Sequence, residues 1–152
     1  MAHILIICTA NICRSPVAEA LLRDRLRQQG LDDWRVSSAG TWAHWPRGAS
    51  QFSVDVMAEA GFDITGHRAR LVDAALLSDA DLVLCMEIGH VEALHIEFPT
   101  YAAKIHLLSE MAGANHSVHD PYGEPLASYQ QMAAELTELI DAGLERIIEL
   151  AR

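Results

Sequence analysis

Cys8-Thr9-Ala10-Asn11-Ile12-Cys13-Arg14-Ser15-Pro16 is the stretch on which the fold turns. Just upstream, residues 3–7 (HILII) form a short, almost continuous apolar run. Such a run suits a strand buried on both faces, as in a parallel sheet. Downstream, Ser15-Pro16 reads as a helix start, with Ser15 as N-cap and Pro16 at the first helical position. Residues 17–29 are rich in Leu, Ala and Arg, and Gly30 is the expected stop. Residues 8–14 therefore form a loop from a buried strand into a helix.

The pattern repeats outward from this loop. Residues 34–38 (WRVSS), 80–86 (ADLVLCM) and 104–108 (KIHLL) are three further strand candidates. Residues 52–60 read as a helix stopped by Gly61, and residues 88–98 as a helix ending before Pro99. Residues 39–50 form a loop holding Gly40, Trp42, Trp45, Pro46 and Gly48. Residues 111–125 form another, around Asp120-Pro121-Tyr122-Gly123. In residues 126–150, Leu136, Leu139, Ile140, Gly143, Leu144 and Ile147 recur at helical spacing. Strands alternating with helices predict an α/β fold: one domain over residues 1–152, with a four-stranded, mostly parallel sheet flanked by helices in three layers. Ligands of such sheets bind beyond the carboxyl ends of the strands. Cys8 ends the first strand and Asp120 follows the fourth, so the topology lets them meet.

With 21 acidic and 11 basic residues the chain carries a formal charge of −10. That argues against nucleic acid as a partner, which needs a basic footprint. It also means that an anionic ligand must be held by a local device, because the overall field repels it. No basic leader with a small-residue cleavage site precedes the first apolar run, and no run has the length of a membrane span. The expected setting is the reducing cytoplasm, with no membrane partner and with Cys8, Cys13 and Cys85 as free thiols. Cys8 and Cys13 lack the second pair that a structural zinc site requires, and neither His90/His95 nor His116/His119 is joined by a carboxylate or cysteine cluster. No metal and no cofactor is expected. Glu135, Glu138, Asp141 and Glu145 on the last helix read as a solvated face.

A loop of this length, wrapped about its own centre, can turn successive main-chain N–H groups inward as an anion nest, and the helix behind adds the positive end of its dipole. Arg14 stands at the helix start, where its planar fork can take two oxygens of a phosphate. The same field favours the nucleophilic thiolate at Cys8. The Ser15 hydroxyl can donate to that sulfur. Asn11 tolerates left-handed backbone angles and can hydrogen-bond locally to hold the loop's shape. Cys13 is either a packing residue or the partner for a reversible disulfide that shields Cys8. Cys85, inside an apolar strand, reads as structural.

Residues 8–16 resemble the signature of the low-molecular-weight protein tyrosine phosphatase family of bacterial type. The resemblance extends along almost the whole chain, through Ala18-Glu19-Ala20, Ser38-Ala39-Gly40-Thr41, His67-Arg68-Ala69-Arg70, Met86-Glu87 and Asp120-Pro121-Tyr122. It implies Cys8 as nucleophile and Arg14 as the group that binds phosphate and steadies the transition state. The main chain of Thr9, Ala10, Asn11, Ile12, Cys13, Arg14 and Ser15 would bind phosphate with it. Asp120 would be general acid and then general base. Asn11, Ser15, Ser38 and His67 would form a supporting hydrogen-bond network, and Trp42, Trp45 and Tyr122 would line the mouth of the site. The implied partner is a phosphotyrosine-containing protein, with bacterial tyrosine kinases among the candidates. One departure is that many members carry Gly at the position of Ala10. A positive φ there would cost alanine about 1 kcal/mol or more.

Three rivals share the loop or its ligand. In protein arginine phosphatases the residue before the second loop cysteine is typically Thr; here it is Ile12, whose apolar side chain favours an aromatic phosphoester. Thiol-dependent arsenate reductases relay a disulfide through two more cysteines, and this chain has only Cys85 beyond the loop. A phosphopeptide-binding module without turnover would not need all the reacting groups.

Overall fold

The computed structural model describes residues 1–152. It is built on four strands, β1 (His3–Cys8), β2 (Arg35–Gly40), β3 (Leu82–Cys85) and β4 (Ile105–Leu107). The strands lie in the order β2-β1-β3-β4, and every pairing is parallel. Five α-helices connect and cover them: α1 (Arg14–Gln28), α2 (Gln51–Glu59), α3 (Ala74–Asp79), α4 (Ile88–Glu97) and α5 (Leu126–Ala151). Two 3-10 segments, Pro99–Lys104 and Leu108–Ala112, flank β4.

β1 is central, and its alternation divides the core in two. Ile4, Ile6 and Cys8 face the larger cluster, where Val17, Leu21 and Leu22 of α1 meet Leu136, Leu139 and Ile140 of α5. Leu5 and Ile7 face the smaller cluster, with Leu77 of α3 and Leu94 of α4. A strand covered on both faces has no solvent side to mark with polar residues, which is why HILII is so apolar. Its continuation through Cys8 in register with Gly40 stretches β2 two residues beyond the expected Ser38.

Other boundaries also differ from the sequence expectation. α1 begins at Arg14, and Cys13, not Ser15, occupies the cap position. Ser15 is free of the capping role because its hydroxyl is engaged in the loop. α3 is absent from the apolar-periodicity reading. It is a short helix capped by Asp73, whose Oδ1 accepts from the Leu76 N–H at 2.8 Å, and six residues are too few to show a helical period. The first part of the expected 111–125 loop is the end of the second 3-10 segment. Gly30 (φ 77°) and Gly61 (φ 92°) terminate their helices in the left-handed region, as their positions suggested.

α5 packs against the second 3-10 segment at Gly143. A Cβ there would lie 2.7 Å from Met111 Cβ and 2.9 Å from Met111 C. Helix propensity alone would make Gly143→Ala stabilising by about 1 kcal/mol. Overpacking against main-chain atoms that cannot rotate away costs about 1–3 kcal/mol, so the overlap should win. Gly143→Ala is expected to lower the urea midpoint of unfolding; an unchanged or higher midpoint would show that the segment yields freely.

Candidate active site

β1 delivers Cys8 to the carboxyl edge of the sheet, and residues 9–13 curl back over it before α1 begins. Asn11 is the one non-glycine residue with positive φ (59°) and is fully buried. Ala10 has no positive φ, so it carries none of the strain considered for it. The Asn11 side chain is oriented by its partners. Oδ1 accepts the Arg70 N–H at 3.1 Å, which leaves Nδ2 to donate to Ser15 Oγ at 2.7 Å and Ser38 Oγ at 2.9 Å. The Asn11 carbonyl accepts from His67 Nε2 at 2.6 Å.

These bonds also orient the Ser15 hydroxyl. Because Ser15 Oγ accepts from Asn11, its own hydrogen is available to Cys8 Sγ, 2.9 Å away. The Cys8 and Thr9 carbonyls accept from the N–H groups of Thr41 (3.0 Å) and Trp42 (2.9 Å), and the Ile12 carbonyl from that of Ser50 (2.8 Å). Gly40 permits this contact between β2 and the loop: a Cβ there would run into the Thr9 carbonyl oxygen. The carbonyl side of the loop is thus tied down. The main-chain N–H groups of Thr9, Ala10, Asn11, Ile12 and Cys13 donate to no protein acceptor.

Arg14 is 1% exposed. Its guanidinium pairs with Glu87 at 2.7 Å, donates to the Val118 carbonyl at 2.8 Å, and lies 3.5 Å from Asp120 Oδ2. Nε has no hydrogen-bond partner. Val118 in turn donates its N–H to Met86 O at 2.8 Å, which straps the loop after β4 across the end of β3. Asp120 is thereby carried to the site, where its Oδ1 accepts the Tyr122 N–H at 3.1 Å.

Cys8, Thr9, Ala10, Ile12, Cys13 and Arg14 line a cavity of about 230 Å³ together with Asp120, Trp42, Tyr122 and Arg47. Trp45 does not line it. It is 67% exposed and its ring meets only the edge of His44, at 6.1 Å. Arg47 lines the mouth instead, and its carbonyl is bonded to the Ala69 N–H at 2.7 Å. A larger groove, of about 380 Å³, lies beside β2 around Arg23, Arg27, Arg35 and Arg70 but contains no nucleophilic thiol. No group of three His, Cys, Asp or Glu side chains is arranged to hold a metal.

The thiols differ in setting. Cys13 is buried with its Sγ 3.0 Å from Ser50 Oγ and 3.6 Å from the Tyr129 hydroxyl. Burial pushes its pKa up, partly offset by those hydrogen bonds. Cys85 is wholly buried in β3, and burial pushes its thiol further up. All three cysteines are free.

Sequence reasoning missed three participants. Glu87 compensates Arg14 from the second position after β3, and a carboxylate just beyond the carboxyl end of the strand beside β1 was the available signal. Arg70 holds Asn11 through its main chain and the Ser38 carbonyl through Nε at 3.1 Å. His90 is buried under the loop, with Nε2 at 2.9 Å from Thr9 Oγ1 and Nδ1 accepting the Glu87 N–H at 3.1 Å.

A free thiol beneath unpaired main-chain donors, with a guanidinium beside it and a carboxylate across a small cavity, defines a protein that presents sulfur to a tetrahedral oxyanion. Comparison with known proteins gives the same class a name. The model of the low molecular weight phosphotyrosine protein phosphatase family matches residues 3–150, and the chain belongs to that family. It is 35% identical over 144 residues to the probable low molecular weight protein-tyrosine-phosphatase EpsP of Ralstonia nicotianae, covering 95% of this chain and 94% of that one. It is 34% identical over 138 residues to the protein-arginine-phosphatase of Bacillus subtilis, covering 90% and 91%. Among solved structures, the low molecular weight protein tyrosine phosphatase from T. tengcongensis superposes with a TM-score of 0.90 at 40% identity, covering 96% of this chain and 99% of that one.

Burial lowers the pKa of His90 from 6.5 to about 4. The unfolded chain therefore takes up a proton near pH 6.5 that the fold accepts only near pH 4, so this contribution to stability is complete above pH 6.5 and lost as pH falls through 4. The full loss is on the order of 3 kcal/mol. Urea unfolding at pH 7, 5 and 4 should show a shallower decline for His90→Asn than for the wild type; parallel declines would remove His90 as the cause.

Proposed function

We propose that this protein is a protein-tyrosine phosphatase that hydrolyses phosphotyrosine and small aryl phosphates through a phosphocysteine on Cys8. The Cys8 sulfur attacks phosphorus as the bond to the phenolic oxygen breaks, and Asp120 gives that oxygen its proton. Water then attacks the phosphocysteine, Asp120 takes the water's proton, and phosphate leaves as the thiolate returns. Main-chain N–H groups and Arg14 stabilise the equatorial oxygens, while Asn11, Ser15, Ser38 and His67 hold the loop.

The observation that carries this reading is the row of five consecutive main-chain donors without protein acceptors beside a buried guanidinium whose Nε is also unpaired. Buried donors are nearly always satisfied, and a phosphoryl group satisfies all of these together. An exposed Trp42 and Tyr122 at the mouth and Ile12 in the wall suit a flat aromatic leaving group. No helix is long and apolar enough to cross a membrane. Three free thiols suit a reducing compartment, so we place the activity in the cytoplasm, acting on a phosphotyrosine-bearing protein such as a bacterial tyrosine kinase.

Cys8→Ser should abolish turnover of p-nitrophenyl phosphate. Asp120→Ala should retain phosphate binding and slow phosphocysteine formation by about 10²–10⁴ on a poor leaving group. Near-wild-type turnover by Asp120→Ala on such a substrate would remove it as the acid.

The second reading is arginine phosphatase activity, favoured by relatives of that name at comparable identity. Apolar wall contacts change discrimination by roughly 10–200-fold. Matched phosphotyrosine and phosphoarginine peptides should therefore differ by about tenfold or more in kcat/KM, in favour of tyrosine. The reverse order would assign the arginine activity.

A further inference from the structure

Thr9 follows the nucleophile directly, lines the cavity, and has its hydroxyl in an unusual position. Its oxygen faces His90 Nε2 at 2.9 Å and Arg14 Nη2 at 3.3 Å. Which of these groups donates can be worked out from the protons. The Glu87 N–H, a donor, points at His90 Nδ1 from 3.1 Å, so Nδ1 must present a lone pair. The ring's proton then lies on Nε2, which also faces the Glu87 carboxylate at 3.5 Å, an acceptor. Burial holds the ring neutral, so there is one ring proton and one tautomer at neutral pH. His90 therefore donates to Thr9 Oγ1, and so does the Arg14 guanidinium. Both lone pairs of the hydroxyl are taken. Its hydrogen has no protein acceptor, and Asp120, whose Oδ2 lies 3.5 Å from the same Arg14 nitrogen, makes no hydrogen bond with it.

We propose that the Thr9 hydroxyl is a catalytic hydrogen-bond donor to a phosphoryl oxygen of the bound group, and that His90 is the positioning residue that turns its hydrogen into the site. The two donors behind it polarise the hydroxyl in the same direction, which strengthens the bond it gives forward. An anionic phosphoryl oxygen is the acceptor that such a bond gains most from. The inference rests on the phosphatase reading for the word catalytic, and on the geometry alone for the binding of phosphate.

The test compares wild type, Thr9→Val, Thr9→Ser, His90→Asn and the double variant Thr9→Val/His90→Asn. Binding of inorganic phosphate is measured by calorimetry, and kcat and KM on p-nitrophenyl phosphate in parallel. Valine keeps the shape of threonine and removes the hydroxyl. Thr9→Val is expected to weaken phosphate binding roughly ten- to hundredfold and to lower kcat as well. Thr9→Ser, which restores the hydroxyl, should recover most of the lost affinity. His90→Asn should weaken phosphate binding in the Thr9 background and have little further effect in Thr9→Val, because it acts through the missing group. Nitrogen-15 spectra of wild-type His90 should show the Nε2–H tautomer. Wild-type phosphate affinity in Thr9→Val, or the Nδ1–H tautomer in the unaltered protein, overturns the proposal; the second readout does not depend on any variant folding. If the wild type binds phosphate with the expected dependence on Thr9 but releases no p-nitrophenol, the phosphatase reading fails and the binding role of Thr9 stands.

Discussion

Asn11 holds the loop between β1 and α1 from behind. A loop can offer its main-chain N–H groups to a ligand only if something other than those groups fixes its shape. Here most of the opposite side is engaged. The carbonyls of Cys8, Thr9, Asn11 and Ile12 all accept hydrogen bonds, and the Asn11 side chain reaches Ser15, Ser38 and the Arg70 main chain at once. The left-handed turn at Asn11 makes this possible, because it directs the residue's carbonyl to His67 and its amide into the core between β2 and α1. The donors of residues 9–13 are kept apart from protein acceptors by the same bonds that keep the acceptors occupied.

Arg14 presents the opposite problem, a cation almost wholly removed from water. Burying a guanidinium is tolerable only with close, hydrogen-bonded counter-charges. Glu87 supplies the nearest, Val118 O a neutral acceptor, and Asp120 a more distant negative charge. The arrangement has two consequences. It keeps the guanidinium rigid, and through Val118 it attaches the loop that carries Asp120. The buried cation and the carboxyl group set across from it are thus positioned by one side chain. In a chain of net charge −10 this concentration of positive potential is necessarily local.

The parallel sheet explains why such distant residues assemble. All four strands run the same way, so their carboxyl ends share one edge. Cys8, Gly40 and Glu87 stand at or just beyond the ends of β1, β2 and β3, and the segment after β4 folds back until Val118 joins Met86. Gly40 against Thr9 and Gly143 against Met111 are both approaches too close for a Cβ.

Much of this was legible from residue order. HILII ending at Cys8, the loop into Arg14-Ser15-Pro16, and the placement of Asp120 beyond the last strand depend on local polarity and turn chemistry, which sequence carries directly. The family resemblance added Ser38, His67 and Tyr122 to the same neighbourhood. It covered Glu87 and Arg70 without giving them a role, and His90 was read only as a histidine without a metal cluster, since a charge or ring acquires its partner only when separate strands align. Trp42 and Trp45 look equivalent in sequence, yet only Trp42 lines the cavity, and it is Trp42 whose N–H is bonded to the Thr9 carbonyl of the loop. Ser15 illustrates the same division: its sequence position suits a helix cap, but Asn11 and Cys8 are nearer and claim its hydroxyl. Periodicity and turn chemistry determined the sheet and the loop with Cys8 and Arg14 in it, and the family resemblance added the role expected of Asp120. Tertiary structure alone decided the compensating charges, the orientation of each proton and the membership of the rim, because those depend on distances between segments that the chain order does not specify.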